Sequence, residues 1–448
     1  MILLLIAVLL TVSSFAQPTQ PNSGIKIIID QEVQDYESLI INGRTMVPMR
    51  AIFEKLGAKV NWCPESRTVE GLTDQAIIIL RIDDTLATVD SESYRLDAPA
   101  TIVNGRTMVP LRFISESLGA EVSWDPQIRS AIINTDTTVD QQSVSVVADV
   151  KINSDLRGLT VGMSVQQAER IIGQATSVYD GPSQSQWRTY HDNYQDFYTI
   201  GYKNNEVYFI YTNSPGENFA GTAIGDDTPN RLPSHALYRE GSLSVNFSAP
   251  EEKRVQVANC AIAIYYIDLH DENKISGIRV VSPKALISDV GILSYKLSYT
   301  NVDDVPEKSA YALSSQKLQV ENAQANIHFE IDNAIRAKAG LNTFSWNSQV
   351  AQVAYLHSKD MADNNYFSHT SLSGKSPFTR LTEAGISYRS ASENLSWGEG
   401  YYDAIESHHG LMNSLGHRKN ILDPNLRELG IGASYNSGLY ITQNFITR

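Results

Sequence analysis

The sequence predicts an α+β chain of several domains, and three observations carry that reading. At 448 residues the chain exceeds one ordinary core, and a norm of about 150 residues per domain gives roughly three. An internal repeat fills the first third. Beyond it, short aromatic-rich runs of strand character give way to segments of helical spacing and a terminal hairpin pattern.

Residues Met1 to Leu10 are continuously apolar and lead into Thr11-Val12-Ser13-Ser14-Phe15-Ala16. Ser14-x-Ala16 fits a small-x-small cleavage rule, so residues 1–16 read as a signal peptide, with Gln17 opening the mature chain. No Lys or Arg precedes the apolar run, which departs from the usual pattern. The run is too short to span a bilayer, and no later run approaches spanning length. The expected location is extracellular, at the cell surface or wall.

Within residues 27–135, Asn42-Gly43-Arg44-Thr45-Met46-Val47-Pro48 recurs as Asn104-Gly105-Arg106-Thr107-Met108-Val109-Pro110, an offset of 104 − 42 = 62. Asn-Gly marks a turn, and Pro48 suits a helix first turn. Met49, Ile52, Phe53 and Leu56 follow helical spacing, with Gly57 as a left-handed stop. Val60 and Trp62 alternate as a short strand. The second copy repeats this through Leu111, Ile114, Leu118, Gly119, Val122 and Trp124, so two strand–turn–helix–strand units are expected to share one core.

Residues 136–155 read as a linker, and residues 156–300 as a second α+β domain. There Ser164 is placed to cap a helix through Val165, Ala168 and Ile172, with Gly173 as its stop. Runs such as Val207-Tyr208-Phe209-Ile210-Tyr211 and Ala261-Ile262-Ala263-Ile264-Tyr265-Tyr266 read as antiparallel strands whose tyrosines pack the sheet. Residues 301–325 read as a second linker.

The last domain spans residues 323–448. Ile327, Ile331, Ala334 and Ile335 share a helical face that ends at Gly340. Asn347 is placed to cap a helix carrying Val350, Val353, Ala354 and Met361, and His357 on that face reads as a hydrogen-bonded core residue. A third helix is expected from about Tyr402 to Ser414, with His408 on its apolar stripe and His409 off it. A hairpin turning at Asn436-Ser437-Gly438 closes the chain.

The formal net charge of −14 argues against a nucleic-acid partner, since no basic field replaces phosphate counterions. No polybasic membrane tether occurs. The two cysteines, Cys63 and Cys260, give no disulfide framework and read as small buried apolar residues. Several chemistries lack their signatures. Gly374-Lys375-Ser376 has His369 where a phosphate-binding loop needs glycine. There is no His-Glu-x-x-His helix and no Gly-x-Ser-x-Gly elbow.

What remains are three motifs in fixed order: Tyr366-Phe367-Ser368-His369-Thr370, Ser392-Glu393-Asn394-Leu395, and Leu411-Met412-Asn413-Ser414-Leu415-Gly416-His417-Arg418-Lys419-Asn420. Each places a titratable side chain in a loop or at the end of an element, where binding and catalysis concentrate. Two imidazoles and a carboxylate suit either a metal site or acid–base work. Such a trio also serves as a buried polar network.

In this order the motifs resemble the CAP domain of cysteine-rich secretory and pathogenesis-related proteins. The resemblance implies an αβα sandwich with a cleft of two histidines and two acids that hold a divalent metal in some members. His369, Glu393 and His417 match three of those positions. Ser392 replaces the glycine before Glu393, Ser414 stands at the second acidic position, and Leu411 replaces a tryptophan. Any zinc at His369 and His417 is therefore expected to bind weakly. The domain before it resembles the region that often precedes bacterial CAP domains. The repeat resembles the stalk domain named for copper amine oxidases, and implies surface display without copper chemistry. The implied role is binding or accessory, in the envelope or in spores, toward a cell-wall or envelope component or a small apolar ligand. A metal-assisted hydrolase of peptide or wall material and a lipid or sterol carrier are the alternatives.

Overall fold

A computed structural model describes residues 24–63, 67–73, 76–90, 92–135, 155–227, 232–240, 242–307, 316–399 and 402–448. The signal segment and the first linker thus lie outside the described residues, except Asp155. The chain divides into two compact units, residues 1–60 with 69–148, and residues 149–448 with 61–68.

In the first unit the repeat is organised as a pseudo-twofold pair. Each Asn-Gly turn closes a hairpin, Leu39–Ile41 with Arg44–Pro48 and Thr101–Val103 with Arg106–Pro110. The inner strands pair antiparallel about Val47↔Val109, residues that match across the offset of 62. Helix α1 (Met49–Lys55) packs on the hairpin strand of the second copy, and α2 (Leu111–Ser117) on that of the first. Pro48 and Pro110 sit at the N-caps, one position earlier than expected, with extended ψ of 122° and 114°. The predicted stops Gly57 and Gly119 take φ of 78° and 86°. Ion pairs repeat the exchange, Arg44 to Asp97 at 2.5 Å and Arg106 to Glu37 at 2.9 Å. The first strand, Lys26–Ile29, runs parallel to the last, Ser130–Asn134, which ties the two ends together. Each copy therefore completes the other, as in an isologous dimer.

In the second unit, α3 (Val165–Ile172) opens with a full capping box between Ser164 and Gln167 and stops at Gly173. It leads into a seven-stranded antiparallel sheet in the order Ser177–Asp180, Gln186–Tyr190, Tyr198–Lys203, Glu206–Thr212, Lys274–Val281, Ala261–Asp268, Lys253–Ala258. The strand tyrosines Tyr198, Tyr211, Tyr265 and Tyr266 are fully buried, as packing predicts. Cys260 departs from the expectation: it is half-buried in the left-handed turn between two strands, at φ 55°.

The C-terminal domain begins earlier than the sequence suggests. Helix α4 runs Lys317–Lys338, so the last part of the supposed second linker is helical, and 308–315 lie outside the described residues. Its first turns bury Val320, Ala323 and Ala325, spaced too unevenly to read as a stripe. A four-stranded sheet follows in the order Ser345–Trp346, Glu428–Tyr435, Gly438–Thr447, Ser390–Glu399, with only the first pair parallel. Helix α5 (Ser348–Asn364), capped by Asn347, lies on one face. It approaches so closely that a Cβ at Gly430 or Gly432 would fall 2.2 Å and 2.0 Å from the backbone nitrogens of Ala351 and Tyr355. Helix α6 (Pro377–Glu383) follows α5.

Helix α7 (Ala404–Met412), capped by Asp403, packs beside α4 and also contacts the seven-stranded sheet. One apolar core joins Ile327, Ile331, Ala334, Ala404 and Ile405 to Trp187, Phe209 and Ile264 of that sheet. Two charges are neutralised in this contact. Arg279, fully buried, pairs with Asp403 at 2.7 Å, and Glu406 takes both Lys253 and the Tyr266 hydroxyl. His409 stacks on Tyr266 at 3.9 Å and bonds the Tyr211 hydroxyl at 3.0 Å. Helix α8 (Leu415–Ile421) is held at its end by buried Arg336, which donates to the carbonyls of Ile421 and Asp423. No helix among the described residues is long and apolar enough to cross a membrane.

Candidate functional site

The cleft forms around the edge strand Ser390–Glu399. Successive strand side chains point to opposite faces, so Glu393 and Asn394 leave the strand on different sides. Each holds one of the predicted histidines. This corrects one expectation: Glu393 lies inside a strand, not at the end of an element. The Ser-Glu-Asn-Leu run puts three polar residues in a row and so lacks the alternation that would announce a strand.

On one side, α5 ends at left-handed Asn365 (φ 51°) and the chain turns into the loop that carries His369. Below it, His357 Nε2 lies 2.9 Å from the Ser368 carbonyl, consistent with its reading as a hydrogen-bonded core residue. His369 Nδ1 donates to Glu393 Oε1 at 2.9 Å. The Glu393 side chain is 2% exposed and that of His369 53%, so the carboxylate is sealed in while the far edge of the ring faces solvent.

The group that fixes this arrangement is Arg380, which sequence reasoning missed. Ser376 caps α6 by accepting from Thr379 N–H, which presents Arg380 on the first turns. One Arg380 nitrogen binds Glu393 Oε2 at 2.5 Å, and the other donates to the carbonyls of His369 and Lys375 at 2.8 and 3.0 Å. A single guanidinium thus closes the His369 loop and occupies the second carboxylate oxygen. An arginine within Thr379-Arg380-Leu381 carries no local signal of this role.

On the other side, His417 sits in the first turn of α8. Its carbonyl accepts from Asn394 Nδ2 at 3.1 Å, while Asn394 Oδ1 accepts from Asn420 at 2.8 Å. Burial, then the nearby charge of His369, lowers the His417 pKa, so its ring is neutral at pH 7. His369 is thus held through its ring by Glu393 and His417 through its backbone by Asn394, the two strand neighbours, and the His369 charge is felt at His417. Ser414 opens α8 at its N-cap without a side-chain capping bond, and nothing ties its hydroxyl to the other three.

The floor beneath Glu393 is polar. Asn444, directly opposite it in register and fully buried, has no hydrogen-bond partner on either amide atom among the described residues. His357 Nδ1 and Arg380 Nε are likewise unpartnered and buried. Burial and the Arg380 charge lower the His357 pKa, so it too is neutral.

Residues 330–445 match the cysteine-rich secretory protein (CAP) family, residues 161–289 the CAP-associated N-terminal domain, and residues 27–133 the copper amine oxidase N-terminal domain. Among curated proteins, the chain is similar to YlbC of Bacillus subtilis (strain 168), described as an uncharacterized membrane protein. The two are 26% identical over 299 residues, 64% of this chain and 82% of the relative. YkwD of the same organism, an uncharacterized protein, is 41% identical over 117 residues, 26% of this chain and 44% of that protein. Two solved structures share the fold. An extracellular SCP-domain protein from Bacillus anthracis str. Ames aligns at TM-score 0.56 and 23% identity over 70% of this chain and all of the other. A cysteine-rich secretory protein from Staphylococcus aureus Mu50 aligns at 0.52 and 18% over 64% and 91%. The C-terminal part of this chain is thus a CAP domain, a member of the cysteine-rich secretory protein family, preceded by a CAP-associated domain and a copper amine oxidase N-terminal-type domain.

Proposed function

We propose that this is an exported envelope protein whose CAP cleft binds a ligand through the imidazoles of His369 and His417, in a binding role and not as a hydrolase. The observation that carries this is the engagement of Glu393. His369 and Arg380 each take one of its oxygens, so the carboxylate is committed to orienting an imidazole and balancing a guanidinium. His369 keeps Nε2 open, and among the described residues no hydrogen bond engages the ring of His417. This donor set fits a divalent cation such as zinc. His369 and His417 would supply nitrogen, and Glu393 would act from behind as the partner of a ligating imidazole. Bound there, zinc would supply a Lewis-acid point with open positions for a ligand from the wall or envelope. Because Ser414 brings no charge, the binding is weak and fails below about pH 6, where imidazoles protonate.

Export rests on the apolar start of the chain and on the extracellular description of its Bacillus anthracis structural relative. Recovery from the culture medium or envelope of a chain beginning at Gln17 is the expected result; intact Met1 in the cytoplasm would remove this part of the reading. For the cleft, calorimetric titration of the full chain with zinc at pH 7.5 should show weak binding that His417→Ala abolishes. No heat from the wild type would leave the trio as a structural network.

A further inference from the structure

The first unit carries a groove of about 410 Å³ at the junction of its two copies, between the first-copy hairpin turn at Gly43-Arg44-Thr45 and helix α2 with the strand Glu121–Asp125. Its volume is in the range of small-ligand sites. We infer that this groove binds a carboxylate-bearing glycan, a site independent of the CAP cleft.

The floor supplies the first argument. Trp124 is 45% exposed, and its cross-strand partner is Ala131, whose single methyl leaves the indole face uncovered. Phe113 adds a second ring, half-buried beside Tyr94 with centroids 6.0 Å apart. An uncovered indole in a polar-walled groove suits the apolar face of a sugar ring.

The walls supply the second. Arg44, Arg95 and Arg112 stand against Asp97 and Glu116. Arg44 is paired with Asp97, and Arg112 reaches Glu116 only loosely at 3.7 Å. Exposed Arg95 has no ion-pair partner among the described residues. Guanidinium forks match carboxylates, and the two acids can accept from hydroxyls. In a chain of net charge −14, such a groove is a rare place for an anionic polymer to settle.

The surface that the groove presents supplies the third. Glu121–Asp125 is the outer strand of its sheet, paired on one side with Ser130–Asn134. A peptide would add along that outer edge by main-chain pairing, whereas the groove offers the side chains of Val122 and Trp124, which suit ring stacking with side-chain hydrogen bonds. The pseudo-symmetry sharpens the point. Across the offset of 62, Phe113 and Arg95 correspond to Ala51 and Val33, so only the second copy carries the added ring and cation.

The test titrates the full chain calorimetrically with a hyaluronan hexasaccharide and with its carboxyl-reduced form. The acidic oligosaccharide should bind, and the reduced one distinctly more weakly. Trp124→Ala should weaken binding by about tenfold or more, Trp124→Phe should retain most of it, and His417→Ala should leave it unchanged. Arg95→Gln with Arg112→Gln should bring the acidic form down to the level of the reduced one. Far-UV circular dichroism checks that each variant is folded. Absence of binding, equal binding of both oligosaccharides, or binding by folded Trp124→Ala at wild-type affinity would each overturn the assignment.

Discussion

Two histidine–carboxylate clusters share the CAP domain, and only one leaves a free valence. In the cleft, Glu393 holds His369 from a sealed position while the outer edge of the ring stays in solvent. In the interior, between α4, α7 and the strand Gly438–Thr447, Asp332 lies 3.2 Å from His328 Nδ1 and 2.8 Å from His408 Nδ1, all fully buried. By composition this second trio is the better metal site, since one ligand atom from each lies within 4.8 Å of the others. Hydrogen-bond direction argues otherwise. The His417 carbonyl can only accept, so Asn394 Nδ2 must donate. Asn394 Nδ2 also donates to Gln443 Oε1, and Gln443 must then turn Nε2 inward, 2.5 Å from Asp332 and 3.1 Å from His328. An N–H fills the place a cation would need. The same residue types thus make a structural network inside and an open site at the edge, and what distinguishes them is unspent hydrogen-bonding capacity.

If that distinction is right, the largest effects on stability belong to the interior. Asp332→Ala removes the acceptor on which the interior donors converge and should cost about 3–5 kcal/mol, read as a fall in the denaturant midpoint at unchanged m-value. A loss below about 1 kcal/mol would mean that the network is not structural.

Acid should expose the same asymmetry. Burial lowers the pKa of His408, and burial together with the neighbouring His408 charge lowers that of His409 well below 6.5. Below about pH 6.5 the unfolded chain therefore binds protons that the native state refuses, and stability falls as pH drops. Asp332 extends the loss at lower pH. Burial pushes its carboxyl up, but His328 and His408 pull harder and hold it at about 2 against an ordinary 3.8. Its contribution, on the order of 2 kcal/mol, is present above the ordinary value and disappears as pH falls through about 2. Urea midpoints between pH 8 and pH 4 test the histidine part; a flat profile would contradict it.

Arg380→Met falls between the two regions. It strips the cation from a carboxylate that is 2% exposed and releases two carbonyls of the His369 loop. We expect a loss of about 2–3 kcal/mol, with Arg380→Lys recovering part, because an ammonium restores charge but not the fork. Equal losses in both variants would show that the contacts of the guanidinium to the two loop carbonyls, not its charge, set the cost.

The legible parts of this molecule are those written in local chemistry. Asn347, Ser164, Gly57 and Gly119 announce helix ends because caps and left-handed stops act within four residues. The motif order names His369, Glu393 and His417 as a set, and the first two are joined by a hydrogen bond. Arg380 was illegible because two of its three partners, His369 and Glu393, lie 11 and 13 residues away. His328 and Asp332 were illegible for another reason: both flank Ile327 and Ile331 in a helix that is buried on nearly every side. Amphipathic periodicity cannot mark a polar network in such a helix. The placement of α7 against a second sheet, with His408 and His409 turned to opposite partners, likewise depends on tertiary packing.

The smallest stability effect should accompany the largest effect on binding. His369 is half-exposed and His417 half-buried, and the contact that positions His417 is made by its backbone carbonyl. Truncating His417 therefore removes a ring without breaking the Asn394 bond. His417→Ala should cost below about 1 kcal/mol, while the zinc heat at pH 7.5 disappears. His369→Ala leaves Glu393 paired with Arg380 and should behave alike. His408→Ala should invert the pattern, with about 2–4 kcal/mol lost from the buried network and zinc binding retained wherever the protein remains folded. A denaturation curve and a zinc titration on each of the three variants decide the matter. If the His417 variant is as destabilised as the His408 variant, both clusters are structural and the contrast between an open site and a closed network is wrong.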